Sequence, residues 1–203
     1  MNDKARILHW LSGCSKSLAD LRKKFETSEF QSAIERQLPL DEKKRDQTIS
    51  QTWHRSCAAM DVLEDGHSGI EYYSTTIPDS RGPLYVLIYG ILQITYVQQD
   101  ALKCLRDAVG LPTHLSLPPI RETRNDFIGH PTNRKGSRGA LFISRPSLSK
   151  SQFQGVELFD DGPIFHDVAL LNQLSEHLEW VCMQVSEIAE RVGQTRMSPL
   201  SQV

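Results

Sequence analysis

Apolar residues recur in steps of three and four over most of this chain, and several of these stretches end at a proline or glycine, which predicts amphipathic helices. Over 15–38 the inward face is Leu18, Leu21, Phe25 and Ile34, with Lys16, Asp20, Arg22, Lys23 and Glu26 on the wet side and Pro39 beyond the end. A second helix fits 44–64, where Ile49, Trp53, Cys57, Met60 and Leu63 share a stripe and Gly66 follows. Residues 65–82 hold Gly66, Gly69, Pro78 and Gly82 among polar residues and read as a loop, with Ile70 to Thr75 as a candidate extended piece. Pro83 suits the first position of a third helix that runs to about 109 and stops at Gly110 and Pro112. Its opening run, Leu84 to Leu92, is apolar nearly all round, so the pattern predicts a central helix buried deepest at its start.

A short helix follows from Pro118 or Pro119 to Ile128, with Ser116 as candidate cap and Ile120, Phe127 and Ile128 as anchors. Gly129 and Pro131 end it and bias His130 away from helical backbone. Periodicity then shifts: ALFIS and GVELF are short β-like runs that predict a small hairpin near 140–158. DDGP introduces a last helix over 164–192, with a seam at Leu171, Leu174, Leu178, Val181, Val185, Ile188 and Val192 that fits either a bundle interior or a second copy of the chain. The fold class is therefore mainly all-α: a bundle of four to five helices with a hairpin insertion, in one domain over 1–192 followed by a flexible tail at 193–203.

Composition narrows this picture. An apolar share of 39% and a charged share of 24% are those of a globular chain. No run reaches the roughly 18 apolar residues of a membrane span, and the opening MNDKARILHW has no signal-peptide core, so a cytoplasmic protein without membrane contact is expected. Cysteines at 14, 57, 104 and 182 are too dispersed for a metal knuckle or disulfide framework and are expected as buried free thiols. A formal charge of −2 excludes a globally basic nucleic-acid coat. Locally the balance differs: over 121–150, Arg121, Arg124, Arg134, Lys135, Arg138, Arg145 and Lys150 face only Glu122 and Asp126. That stretch is either an ordinary solvated loop or a rim that steers phosphate.

Candidate chemistry lies at the start of the same stretch, in RNDFIGH. On an unbroken helix Arg124 and His130 would sit about 9 Å apart along the axis and roughly 120° around it, so they converge only if the helix ends near His130 or if two subunits each contribute a pair. Asp126, four residues before His130, is placed to accept from the imidazole and raise its proton affinity; Arg124 or a nearby lysine or arginine is its alternative partner. Asn125 is placed to bond backbone near the turn. His9, His54, His67, His114, His166 and His177 lack metal-site spacing, and Asp160, Asp161, His166 and Asp167 read as the acidic start of the last helix. No metal and no cofactor is expected. The tyrosines at 72, 73, 85, 89 and 96, with Trp53 and Trp180, read as core or interface residues.

Arg124, Asn125 and His130 resemble the signature of the HEPN superfamily (higher eukaryotes and prokaryotes nucleotide-binding domain): an arginine, usually followed by asparagine or another polar residue, and a histidine after four to six positions, here five. The motif covers 124–130, and a bundle of about four or five helices that typically dimerises would cover 15–192. The resemblance implies metal-independent RNA cleavage in toxin, toxin–antitoxin or antiviral-defence settings. His130 would be general base or acid on the ribose 2′-hydroxyl, Arg124 would stabilise the pentavalent phosphate and Asn125 would orient the site, with Asp126 beside the histidine and Arg121, Arg134, Lys135 and Arg138 binding substrate. It also implies a homodimer, formed here through the helical seam, and an antitoxin or nucleotidyltransferase partner protein. Pro131 and the β-like insertion depart from a minimal bundle. Some family members are noncatalytic, which leaves a second reading: a helical module that binds a nucleotide, nucleic acid or acidic protein.

Overall fold

A computed structural model of the chain describes residues 3–37, 42–129, 141–159 and 161–193. Along it run α1 (Asp3–Glu26), α2 (Ser28–Gln37), α3 (Glu42–Thr75), α4 (Arg81–Ala108), α5 (Ile120–Arg124), a π turn (Asn125–Gly129), β1 (Leu141–Ile143), a 3-10 turn (Arg145–Ser147), β2 (Phe153–Phe159), β3 (Gly162–Val168) and α6 (Leu170–Gly193). The architecture is a mainly helical bundle with a small antiparallel sheet in the order β1-β2-β3 inserted before the last helix. His130, Arg134, Lys135, Arg138 and Asp160 lie outside the described residues, as does the tail beyond Gly193.

Among the described residues six α-helices stand where four to five were expected, because the first predicted one is two. Its apolar stripe begins at Ile7 and Leu11, so α1 starts well before residue 15 and buries Cys14, Leu18, Leu21 and Phe25 behind them. Thr27 then resets the chain: its hydroxyl donates to the Lys24 carbonyl and accepts the amide of Glu29 at 3.4 Å, closing α1 and capping α2. Phe25 and Phe30 stack across the break at 3.7 Å and Trp53 leans on both.

The predicted loop over 65–82 is helical as far as Thr75, and Ile70 to Thr75 is not extended. Its glycines serve packing instead of turning. A Cβ on Gly66 would stand 2.7 Å from the Gln98 side chain, and one on Gly69 would stand 2.6 Å from Ile94 Cδ1, so both mark where α4 comes close. The helix ends under Lys150, whose ammonium donates to the carbonyls of Ser74 and Thr76 at 2.9 and 2.6 Å. α4 opens two residues before Pro83, which still falls in the first turn where its missing N–H is unneeded. The start of α4 is its shallow end: Pro83 and Gly90 are exposed and Val86 is 69% exposed, whereas Ile88, Ile91, Leu92, Leu102 and Leu105 are buried. At the far end Gly110, at φ +70, allows Leu111 to donate back to the Arg106 carbonyl at 2.9 Å.

β1 and β2 are the predicted hairpin runs and do pair, Leu141 with Glu157 and Ile143 with Gly155. The expected start of the last helix is instead β3, a third strand paired to β2 from Phe153–Val168 to Phe159–Gly162. Asp161 lies in the turn before β3, whose first residue, Gly162, is at φ +131, so Asp161 leads into a strand and not into a helix. α6 begins only at Leu170, with Leu174, Leu178, Val181, Val185, Ile188 and Val192 buried and Leu171 half-buried. The partners that bury this seam are within the chain, α1 most extensively and then α4. A dimer through the α6 seam is therefore not available; a second copy must use another face.

Two glycine substitutions separate close approach from open helix surface. Gly66→Ala should destabilise the protein by about 1–2 kcal/mol, because displacing Gln98 outweighs the gain in helix propensity. Gly90, where an added Cβ would meet nothing within 4 Å, should gain up to about 1 kcal/mol on substitution by alanine. Thermal unfolding of both variants measures this, and a stabilised Gly66→Ala would contradict the close-packing account.

Candidate functional site

α5 is too short to hold itself in place and is fixed by its neighbours. Its start is not capped by Ser116: Pro119 is the residue before Ile120, and the amides of Arg121 and Glu122 return to the carbonyls of Pro118 and Pro119 at 3.1 and 3.0 Å. Ile120 and Phe127 are buried anchors. Thr123 Oγ1 donates to Gln173 Oε1 of α6 at 2.8 Å. Where the sequence predicts helix as far as Ile128, the backbone widens to a π turn at Asn125. Phe127 on that turn lies against Gly155, where a Cβ would come within 2.3 Å of its ring, and meets Phe153 edge-on at 5.2 Å. Tyr85 donates to Tyr89 at 2.7 Å, and Tyr89 donates to the Phe127 carbonyl at 3.3 Å. Burial pushes the Tyr89 phenol well above its usual range, so it remains a donor.

The outer side of α5 carries Arg121 and Arg124 one turn apart, facing Gln93, Tyr96 and Asp100 on one stripe of α4. Both guanidinium carbons lie over the Tyr96 ring, at 3.8 Å for Arg121 and 4.0 Å for Arg124. Arg124 donates twice to Gln93 Oε1, at 3.2 and 3.0 Å, and once to Asn125 Oδ1 at 3.4 Å. Arg121 donates to Asp100 Oδ1 at 2.8 Å, to Gln99 Oε1 at 3.4 Å and to the Tyr96 carbonyl at 3.5 Å. Two like charges are thus gathered on one aromatic ring, with a neutral amide under one and a carboxylate beside the other. Both side chains are part-buried, a setting where a guanidinium is held in place yet can still reach a phosphate oxygen.

Of the predicted site residues, Arg121, Arg124 and Asn125 are brought together here, with Asp126 half-buried on the same turn. Two cations of the basic stretch are engaged within the fold. Lys150 is spent on the end of α3, and Arg145 sits 5.8 Å over the Tyr85 ring. Sequence reading missed Gln93, Tyr96, Gln99 and Asp100; only the placing of Tyr96 and Asp100 at helical steps from Gln93 hints at a common face. Among the other histidines, His67 bonds Ser15 at 2.7 Å, His166 bonds Glu157 at 3.0 Å and His177 is buried. No group of three or more His, Cys, Asp or Glu side chains among the described residues could hold a metal ion. The cysteines are free; Cys14 is buried, but Cys57, Cys104 and Cys182 are half-buried and not the buried thiols expected. An open groove of about 380 Å³ between α1 and α6, lined by Lys16, Asp20, Lys24 and Glu190, shares no residue with the arginine face. No helix among the described residues is long and apolar enough to cross a membrane.

Compared with family models, with curated proteins and with solved structures, the chain matches none.

Because the arginines use the face of the ring, Tyr96→Phe should be nearly neutral, whereas Tyr96→Leu should cost about 1–2 kcal/mol of stability. Chemical unfolding of the two variants tests this; equal losses would show that the ring face is not what holds the guanidinium groups.

Proposed function

We propose that this chain is a metal-independent endoribonuclease of the HEPN type, acting on RNA at the α5 face. The observation that carries the reading is the pair of guanidinium groups held on Tyr96, on the helix whose chain leads within a few residues to His130. RNA is a polyanion, and arginines braced by a ring and neutral amides offer donors to a phosphate without first having to be ordered. Arg124 donates to the non-bridging oxygens of the scissile phosphate and stabilises the extra negative charge of the pentavalent state. His130 takes the proton of the 2′-hydroxyl or returns one to the leaving 5′-oxygen. The 2′-oxygen forms its bond to phosphorus as the bond to the 5′-oxygen breaks, leaving a 2′,3′-cyclic phosphate and a 5′-hydroxyl. One imidazole cannot supply both proton transfers in a single step, which favours two copies of the chain meeting at this face, with Arg134, Lys135 and Arg138 along the RNA backbone. A toxin or antiviral role in the cytoplasm, restrained by an antitoxin or nucleotidyltransferase partner, fits an enzyme that cuts RNA without needing a cofactor.

Purified wild-type protein in EDTA should cleave single-stranded RNA to cyclic-phosphate ends. His130→Ala should lower the rate by about 10²–10⁴-fold, and Arg124→Ala by about 10²–10³-fold, with folding and particle mass unchanged. Equal background cleavage by all three proteins would overturn the enzyme reading; RNA binding that persists without cleavage would then identify a noncatalytic binding module on the same face.

A further inference from the structure

A chain of buried hydrogen bonds crosses the bundle and ends on the arginine face. Gln98 Nε2 donates to the Leu63 carbonyl of α3 at 3.1 Å, and Gln98 Oε1 stands 3.0 Å from His177 Nε2 on α6. His177 Nδ1 stands 3.4 Å from Gln99 Nε2, and Gln99 Oε1 accepts from Arg121 at 3.4 Å. Gln98, Gln99 and His177 are 1%, 0% and 0% exposed. Bulk water therefore reaches none of them.

The two ends determine every proton between them. A carbonyl only accepts, so Gln98 must turn its NH₂ to Leu63 and its oxygen to His177. The imidazole then donates from Nε2 and accepts at Nδ1, which takes the NH₂ of Gln99 and leaves the Gln99 oxygen toward Arg121. A guanidinium only donates, so the far end agrees with the near one. Burial pulls the His177 imidazole down to about 3, and the ring is neutral at neutral pH, as this polarity requires.

We propose that His177 is a positioning residue of the anion site: through Gln99 it holds Arg121 against Tyr96 so that the guanidinium meets a phosphate of bound RNA. The assignment rests on the reading that this face binds RNA. Asp100, the other side-chain oxygen on Arg121, is 46% exposed and is the contact a phosphate can replace. Gln99 is the buried contact that stays, and its orientation is inherited from His177.

Asparagine and glutamine divide the two arms of the imidazole. His177→Asn keeps an acceptor where Nδ1 stood and can still orient Gln99; His177→Gln keeps a donor where Nε2 stood and serves only Gln98. Both lose the ring beside Trp180, so a merely structural role would affect them alike. Two-bond ¹H–¹⁵N spectra of the full chain should show the neutral Nε2–H tautomer across neutral pH. With a single-stranded oligouridine RNA as probe, His177→Gln should weaken binding about tenfold, like Arg121→Ala, and the double variant should be no weaker than Arg121→Ala alone, while His177→Asn stays near wild type. An Nδ1–H or charged ring, equal losses in the two His177 variants, or additive losses in the double variant would overturn the proposal. Should wild type bind no RNA, the ribonuclease reading fails by itself. The Arg121 guanidinium resonances then decide the positioning role: altered in His177→Gln but not in His177→Asn supports it, and unaltered in both overturns it.

Discussion

The bundle depends on satisfying polar side chains that have no access to water. An unpaired buried amide costs about 1–3 kcal/mol, so Gln98, Gln99 and His177 are tolerable only as a connected set. Their partners come from α3, α4, α5 and α6, which makes the set a register lock. Sliding α6 by one turn, about 5.4 Å, would leave the apolar seam nearly as well packed yet break both bonds to His177. The lock needs room, which Gly66 provides by letting Gln98 lie against the α3 backbone. Arg106 adds a second tie between α4 and α6: almost fully buried, it donates to the Pro112 carbonyl and to Gln184 and pairs with Glu187.

That register determines where α5 sits, and the sheet completes the clamp. α5 bears on α4 through its arginines and on α6 through Thr123, while the turn after it is pressed between Tyr89 and the β2 backbone at Gly155. Leu141, Ile143, Phe153 and Val168 bury the inner face of the sheet, and Phe127 joins them. The insertion is thus the wall against which the candidate site is set. A π turn at this point spreads the backbone where Asn125 and Asp126 emerge, a geometry the packing of Phe127 keeps in place.

The helical faces were legible wherever one side of a helix meets the core, as with Leu18, Leu21 and Phe25 on α1 or the seam of α6. Misreadings cluster where a residue type serves two purposes. Gly66 and Gly69 resemble helix breakers, and only a neighbouring helix reveals them as contact points. Thr27 is an ordinary residue inside a helical pattern until its hydroxyl is seen to serve both helices. Asp161, before Pro163, suits a helix start as well as a turn between strands, and the pairing of β3 with β2 decides between them. For the site, Arg124 and Asn125 were visible as a local motif. Tyr96, Gln93 and Asp100 were not, because no local spacing says which stripe of α4 a distant short helix will cross. His177 looked like any unassigned histidine for the same reason.

The electrostatics of the arginine face set how it would take up an anion. Arg121 is already paired with Asp100, but with the carboxylate 46% exposed the pair is worth only about 1 kcal/mol, so a phosphate could replace the carboxylate at little cost. The partners described for Arg124 are neutral: an amide from Gln93, another from Asn125, and the ring of Tyr96. Its charge is held in place without being neutralised by them. Anion binding at Arg121 would therefore be an exchange, and at Arg124 an addition, so most of the attraction for a phosphate would come from Arg124 and most of the discrimination in geometry from Arg121. A net charge of −2 over the whole chain is thus no obstacle to a local positive field at one face.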